Sequence, residues 1–432
     1  MKARILFVVL LLVAIALWQL PGVSLGSQEK QKAGAAPAQA PSACQFPSQS
    51  AATPEQTAWE IFVAAACATG TGSYPYLTWE SWPNQNDIYP NVTATPAHGA
   101  KANEKQRRFM PSLLGAALLK RHGRTPAPLP AVSETGCQVA GEYQGPPAGP
   151  PSGRTICEEV HLNTTLPGTG AADYVTRTRI NDRPQQETVA QAGKLLFPPT
   201  AIEVKANWIQ YPLSNGACPA TVSNVWTEID GDYCYALAAI HVISKLIPNW
   251  IWATFEAQNL TTNPNRCVAL GCYDGFGSVP LQTPVGGGST TISPALLNLM
   301  QSANLDQRFQ NYRLDGIQTK FSGNPGNSTL LGSSVIEAET AQQPLNHSSC
   351  ITCHNESSIG PPPSCTDGIK FIKSLTGAPP PLAQGFPRDS VWSLLLAYPP
   401  SCSGAGAVSK RSAPAKPGAQ PGTAKEKPPK TS

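Results

Sequence analysis

The chain has 432 residues, 41% of them apolar and only 13% charged, with a net charge of +4, 44 prolines and 36 glycines. That balance describes a loop-rich folded protein and argues against a basic nucleic-acid-binding face. The charge is also uneven: from Lys410 to Lys430 six basic residues stand against one acid, a net of +5, so the rest of the chain is close to neutral.

The N-terminus gives an address. Lys2 and Arg4 precede an unbroken apolar run, Ile5 to Leu17, which Pro21 and Gly22 end. Ser24-Leu25-Gly26 then offers small residues for cleavage before Ser27, the layout of a secretory signal peptide over residues 1–26. The run is short for a spanning helix, which needs about 20 residues, so no stable membrane span is expected after cleavage. A periplasmic or secreted protein follows. Residues 27–43 read as a disordered linker and residues 403–432 as a disordered basic tail, since neither carries enough apolar surface to offset its ordering entropy.

Twelve cysteines in an exported chain point to disulfides. Setting aside Cys350 and Cys353, ten remain and fall into neighbouring pairs: 44 with 67, 137 with 157, 218 with 234, 267 with 272, and 365 with 402.

Between the two ends, residues 44–290 read as a β-rich body. "SWPNQNDIYP" and "GEYQGPPAGPPSG" carry turn residues and read as loops. In "TAIEVKANWIQY", Ile202, Val204, Ala206 and Trp208 alternate with Glu203, Lys205 and Asn207, which predicts a strand with one wet face. "YCYALAAIHVISK" is apolar on both faces and predicts a central buried strand. After the turn signal Pro248-Asn249, "WIWATFEA" places Trp250, Trp252, Thr254 and Glu256 on one face, and antiparallel pairing with the preceding strand follows. From Pro294, "PALLNLMQSANLDQRFQNYRL" reads as helix, with Leu297, Met300, Leu305 and Phe309 near helical spacing. The expected fold is α+β: a mainly antiparallel, sandwich-like β body with a helical C-terminal region over residues 291–402 packed on it.

What marks this C-terminal region as a haem c region is "SSCITCHNESS". On a helix, Cys350, Cys353 and His354 project to one side, because positions three and four apart are neighbours. Two thioether bonds could then hold one haem edge while His354 reaches the iron, the reason C-x-x-C-H reads as a c-type haem site. Zinc would need a second ligand pair, and downstream stand only Cys365 and Cys402 with no later histidine. A dithiol oxidoreductase would want a core strand before its C-x-x-C, which "AETAQQPLNHSS" does not resemble. Two structural cysteines beside a histidine remain a fourth reading.

The blocks "AWEIFVAAA", "WESWP", "IEVKANWI", "AAIHVISKLIPNWIWATFE", "NYRLDGIQTKF" and "SSCITCH", with "LGSSVIEAE" as a looser one, span most of residues 57–400. Their order resembles an exported bacterial cytochrome c family in which a long, largely β body precedes a single C-terminal CxxCH. The resemblance implies one covalent haem c at Cys350 and Cys353, with His354 as proximal ligand. It supplies no catalytic residue.

The sixth iron ligand separates the functions open to such a protein. Small electron carriers place a methionine downstream of CxxCH, but Met1, Met110 and Met300 all lie upstream. Met300 and His241 are the two candidates, although a helical Met is more often a core residue and a strand His more often a hydrogen-bonded one. An open or water-filled site is the third option. His347 stands too close to Cys350 to reach the far haem face, and His98, His122 and His161 fall in loop-like stretches. Electron transfer with an unknown redox partner protein is the leading reading. A peroxidase- or oxidase-like enzyme would want an acid–base pair near the iron, for which Glu256 is the acid to watch, although it reads first as a surface or salt-bridged carboxylate. A secreted binding module with a structural haem is the third reading.

Overall fold

The computed structural model describes residues 42–69, 76–89, 137–139, 155–164, 169–258, 274–279, 291–321, 333, 349–355, 357–359, 386–391, 393–394 and 397. The signal segment, the basic tail, the loop at 141–153, the expected pairs 267 with 272 and 365 with 402, and His98, His122 and His347 lie outside the described residues.

Helix α1 (Pro54–Ala66) starts where its sequence provides a start. Thr53 Oγ1 accepts the amide of Gln56, and Pro54 occupies the first turn, where a missing N–H costs nothing. At its other end Cys67 is disulfide-bonded to Cys44, with Cα atoms 5.8 Å apart. "SWPNQNDIYP" is less of a loop than expected: a 3-10 turn, Thr78–Ser81, ends at its first residue, and Gln85–Ile88 within it forms a helical turn.

The centre is one seven-stranded antiparallel sheet. In chain order its strands are β1 (Cys137–Val139), β2 (Thr155–Leu162), β3 (Ile202–Pro212), β4 (Thr227–Asp230), β5 (Tyr233–Ser244), β6 (Ile251–Ala257) and β7 (Tyr312–Gln318). Their spatial order is β7-β6-β5-β3-β2-β1, with the short β4 also paired to β5. The apolar run of β5 is the centre, as its composition requires, and β6 returns beside it through the Pro248-Asn249 turn. The sandwich-like expectation reduces to this: among the described residues the large sheet is single, and helices and loop segments cover its faces. β7, from the segment read as the C-terminal haem region, is hydrogen-bonded to β6, so both segments share one sheet.

Two helices, α2 (Ala171–Thr178) and α3 (Arg183–Gln191), lie between β2 and β3. α4 (Pro294–Ser302) is capped by Ser293 Oγ and is shorter than its periodicity suggested. Asn304 adopts φ 51°, a left-handed conformation that ends the helix, and a 3-10 turn at Gln307–Asn311 leads into β7. The last described helix, α5 (Cys350–Asn355), holds the CxxCH sequence.

The sheet has two different faces. On the first, Trp59 and Phe62 of α1 meet Phe255, Tyr312 and Phe309 in edge and tilted contacts, with Trp208, Leu296 and Met300 in the same cluster. On the second, Val160, Leu162, Ile243, Trp250 and Trp252 join α2, Phe197, Ile351, Val391 and Leu394. The expected wet face of β3 is therefore covered: Glu203 and Asn207 are buried, and Lys205 alone is half-buried on that side.

Candidate functional site

Directly paired residues of antiparallel strands share a face, so the register lays out the second face in ranks. One rank runs Gln318, Trp252, Ile243, Glu203, Leu162. The next runs Gly316, Thr254, His241, Lys205, Val160, and the third Arg313, Glu256, Ala239, Asn207, Glu158.

The CxxCH turn is anchored to the first rank. Gln318 Oε1 accepts the amide of Ile351 at 3.0 Å, and Gln318 Nε2 donates to Ser349 Oγ at 3.2 Å. Ser349 in turn donates to Thr352 Oγ1 at 2.9 Å and accepts the Thr352 amide, the work of an N-cap. Ile351 is buried in the apolar cluster of this face, and Cys350 is half-buried beside it. Of Cys353 only the backbone is described.

His354 ends the turn with its ring centroid 4.5 Å from that of Trp252. Its Nδ1 lies 3.0 Å from the carbonyl oxygen of Ser390. A carbonyl can only accept, so Nδ1 carries the proton, and in the neutral ring Nε2 holds the lone pair. Fixing one ring nitrogen on a backbone carbonyl is how proteins orient a metal-ligating histidine.

The carbonyl is itself held in place. Asp389 and Ser390 have φ 50° and 64°, an uncommon conformation for residues with a Cβ. Asp389 is clamped on both oxygens: Lys245 Nζ binds Oδ1, and the amide of Phe197 donates to Oδ2 at 2.8 Å. Burial raises the Asp389 pKa, with Lys245 pulling against it. Fully buried Arg388 donates to Gln186 of α3 at 3.1 Å, and Ser357 Oγ donates to the carbonyl of Val391 at 2.9 Å. Residues 386–391 with 393 and 394 thus form a strap locked to α3, the β5–β6 turn and the end of the CxxCH turn.

The remaining candidates separate by face. His241 is buried on β5 in the rank after Trp252, with Nδ1 3.0 Å from Thr254 Oγ1. Met300 is buried on α4 in the first-face cluster, whereas Ile351 and Trp252 belong to the second-face cluster. Glu256 is not a surface carboxylate: it is buried and stands directly opposite Arg313. His161 does not lie in a loop. It is the penultimate residue of β2, fully buried on the first face, with Nδ1 2.8 Å from the Trp82 carbonyl and Nε2 3.3 Å from Glu159. The paired acids before it, Glu158 and Glu159, hid the strand. Ser390 and Gln318 carried no signal in the sequence, because their contacts with the CxxCH turn come from segments far apart in the chain.

Among the described residues no three His, Cys, Asp or Glu side chains converge as a metal-holding group, and none of the helices is long and apolar enough to cross a membrane. Fold and site together define an α+β protein with a covered antiparallel sheet and a helical CxxCH turn docked on one face. Comparison with family models, curated proteins and solved structures finds no significant match.

Proposed function

We propose that the chain is an exported c-type cytochrome with one haem c, attached through Cys350 and Cys353 and ligated by His354, and that it transfers electrons to or from a partner protein. The observation that carries this reading is the hydrogen bond of His354 Nδ1 to Ser390 O, which gives the imidazole of a CxxCH motif the tautomer and fixed orientation an iron ligand needs. A bound haem would supply one-electron chemistry at its iron. The chain's own residues do the rest: Gln318 and Ser349 hold the turn, Trp252 packs at a tilt against the imidazole, and the strap fixes its rotation. Disulfides at 44–67 and 218–234 agree with a periplasmic or secreted location.

His241 is the sixth ligand we favour, because it shares the sheet face of Trp252 and its ring is held at Nδ1 by Thr254 Oγ1, 3.0 Å away. One observation favours a second reading, a haem enzyme. The ranks after Trp252 carry buried Thr254, His241, Glu256 and Arg313, groups able to bind or protonate a small substrate. The test is peptide mass spectrometry and optical spectroscopy of protein matured in a cytochrome-assembling periplasm. Haem mass on the "SCITCH" peptide and slow carbon monoxide binding by the reduced protein are expected. An unmodified peptide ends the haem reading; rapid carbon monoxide binding with peroxide turnover promotes the enzyme.

A further inference from the structure

The reading above leaves one buried carboxyl unused, and it sits where the sheet meets the strap. Glu203 lies in the rank of Trp252 and Ile243, on the second face. It is buried, and its Oε2 accepts a hydrogen bond from Ser393 Oγ at 3.2 Å. Ser393 is three residues from Ser390, whose carbonyl holds His354 Nδ1. The carboxyl and the imidazole are therefore fastened to the same short strap, which Lys245 and Gln186 lock from two other elements.

The charged and titratable groups around Glu203 come from several elements. Lys205 follows it on the same face of β3, paired at 3.6 Å with Glu158 of β2, while β5 and β2 present only Ile243 and Leu162 in its own rank. The strap brings buried Arg388, and the helical turn at Gln85–Ile88 leads into buried Tyr89. Burial raises the Glu203 pKa to about 7; the Ser393 bond and Lys205 pull it down, and Glu158 pushes it up. Lys205 and Glu158 are 25% and 20% exposed, so the same face offers a short polar route from water.

We propose that Glu203 is the proton partner of the haem: one-electron reduction of the iron is accompanied by uptake of one proton on the Glu203 carboxyl, and oxidation by its release. This rests on the haem reading. The electron comes from an external one-electron donor, a redox protein in the cell or an electrode in the test, and stays on the iron. The proton comes from water and forms one O–H bond on the carboxylate; no other bond changes. Reduction removes one unit of positive charge from the interior, and in a medium of low dielectric that disfavours a neighbouring buried anion.

The experiment is spectroelectrochemical titration of the purified, haem-loaded full chain from about pH 5 to pH 9, a window that brackets a carboxyl titrating near neutrality. The midpoint potential should fall near neutral pH with a slope approaching about 59 mV per pH unit, the one-electron value. A protonated-carboxyl band should leave the infrared difference spectrum on oxidation. Glu203→Gln should flatten the slope and remove the band. Should that variant not fold, Ser393→Ala serves, because losing a bond to the carboxylate must move the inflection to higher pH. A flat potential in the haem-loaded wild type overturns the proposal, as does a slope that survives unchanged in Glu203→Gln. Protein without a Soret band fails the haem reading itself, and that is seen before any pH is varied.

Discussion

Ionising Glu203 costs the folded chain stability, and the size of that cost can be worked out. Its pKa is about 7 when folded, against an ordinary glutamate value of 4.5 when unfolded, and the main cause is burial. The folded state therefore holds a proton that the unfolded state has already released between these two values. The stabilising contribution is complete below about pH 4.5 and disappears as the pH rises through 7, so stability falls with rising pH. A shift of about 2.5 units corresponds to about 3 kcal/mol. Asp274 and Asp389 are also raised by burial and slope the same way, so the wild-type profile alone does not isolate Glu203. The difference between wild type and Glu203→Gln does. In urea unfolding the glutamine variant should gain about 2.5 kcal/mol on the wild type between pH 5 and pH 8, with an unchanged m-value. A constant difference across that range would mean that Glu203 is ionised throughout, or reached by water, and the reasoning from burial would be wrong.

Two further outcomes are expected. Trp252 is buried, donates from Nε1 to the Asn249 carbonyl at 3.0 Å and walls the His354 ring, so Trp252→Ala should cost about 3–5 kcal/mol in denaturant unfolding; a loss below about 1 kcal/mol would show that the ring is not packed as described. Replacing Cys44 and Cys67 together by serine opens a loop of sequence separation 23 and should lower stability by about 2–4 kcal/mol, read as a lower urea midpoint.

Much of the sheet was legible because its signals are local. The apolar run of β5, the turn at Pro248-Asn249 and the alternation of β6 lie within one stretch of chain, and the observed strands pair antiparallel with ends within a residue of those segments. The same holds for the pairs 44–67 and 218–234, whose members are close in sequence; Cys157 too is disulfide-bonded and faces Cys137 in the register. What failed was whatever depended on distant segments. Glu203 alternates like a solvent-facing residue and is buried because a strap about 190 positions later lies over it. The helix from Pro294 looked continuous because Leu305 and Phe309 kept the spacing, while the left-handed Asn304 broke it. The CxxCH turn was obvious as a motif, yet the feature that gives it chemical direction, the Ser390 carbonyl, is set by two left-handed residues that no composition rule singles out.

The size of the body follows from the same geometry. A helix of six residues is too short to hold its own shape, since isolated helices below about 12 residues are marginal in water. Here the sheet edge supplies Gln318, the central hairpin supplies Trp252, and the strap supplies Ser390, which is fixed in turn through Lys245 after β5 and Gln186 on α3. Each support depends on the long antiparallel register being correct, because a slip of one residue would turn Trp252 and Gln318 to the other face. A simple carrier could stop there. The second and third ranks go further, burying Thr254, His241, Glu256, Asn207 and Arg313 on a covered face where apolar side chains would cost less. A fold keeps such groups where they pair with one another or where something polar must be bound or moved beside them. On the proposed reading, the two polar ranks set the haem's second ligand, while the first rank, with Trp252 and Glu203, sets its position and its proton.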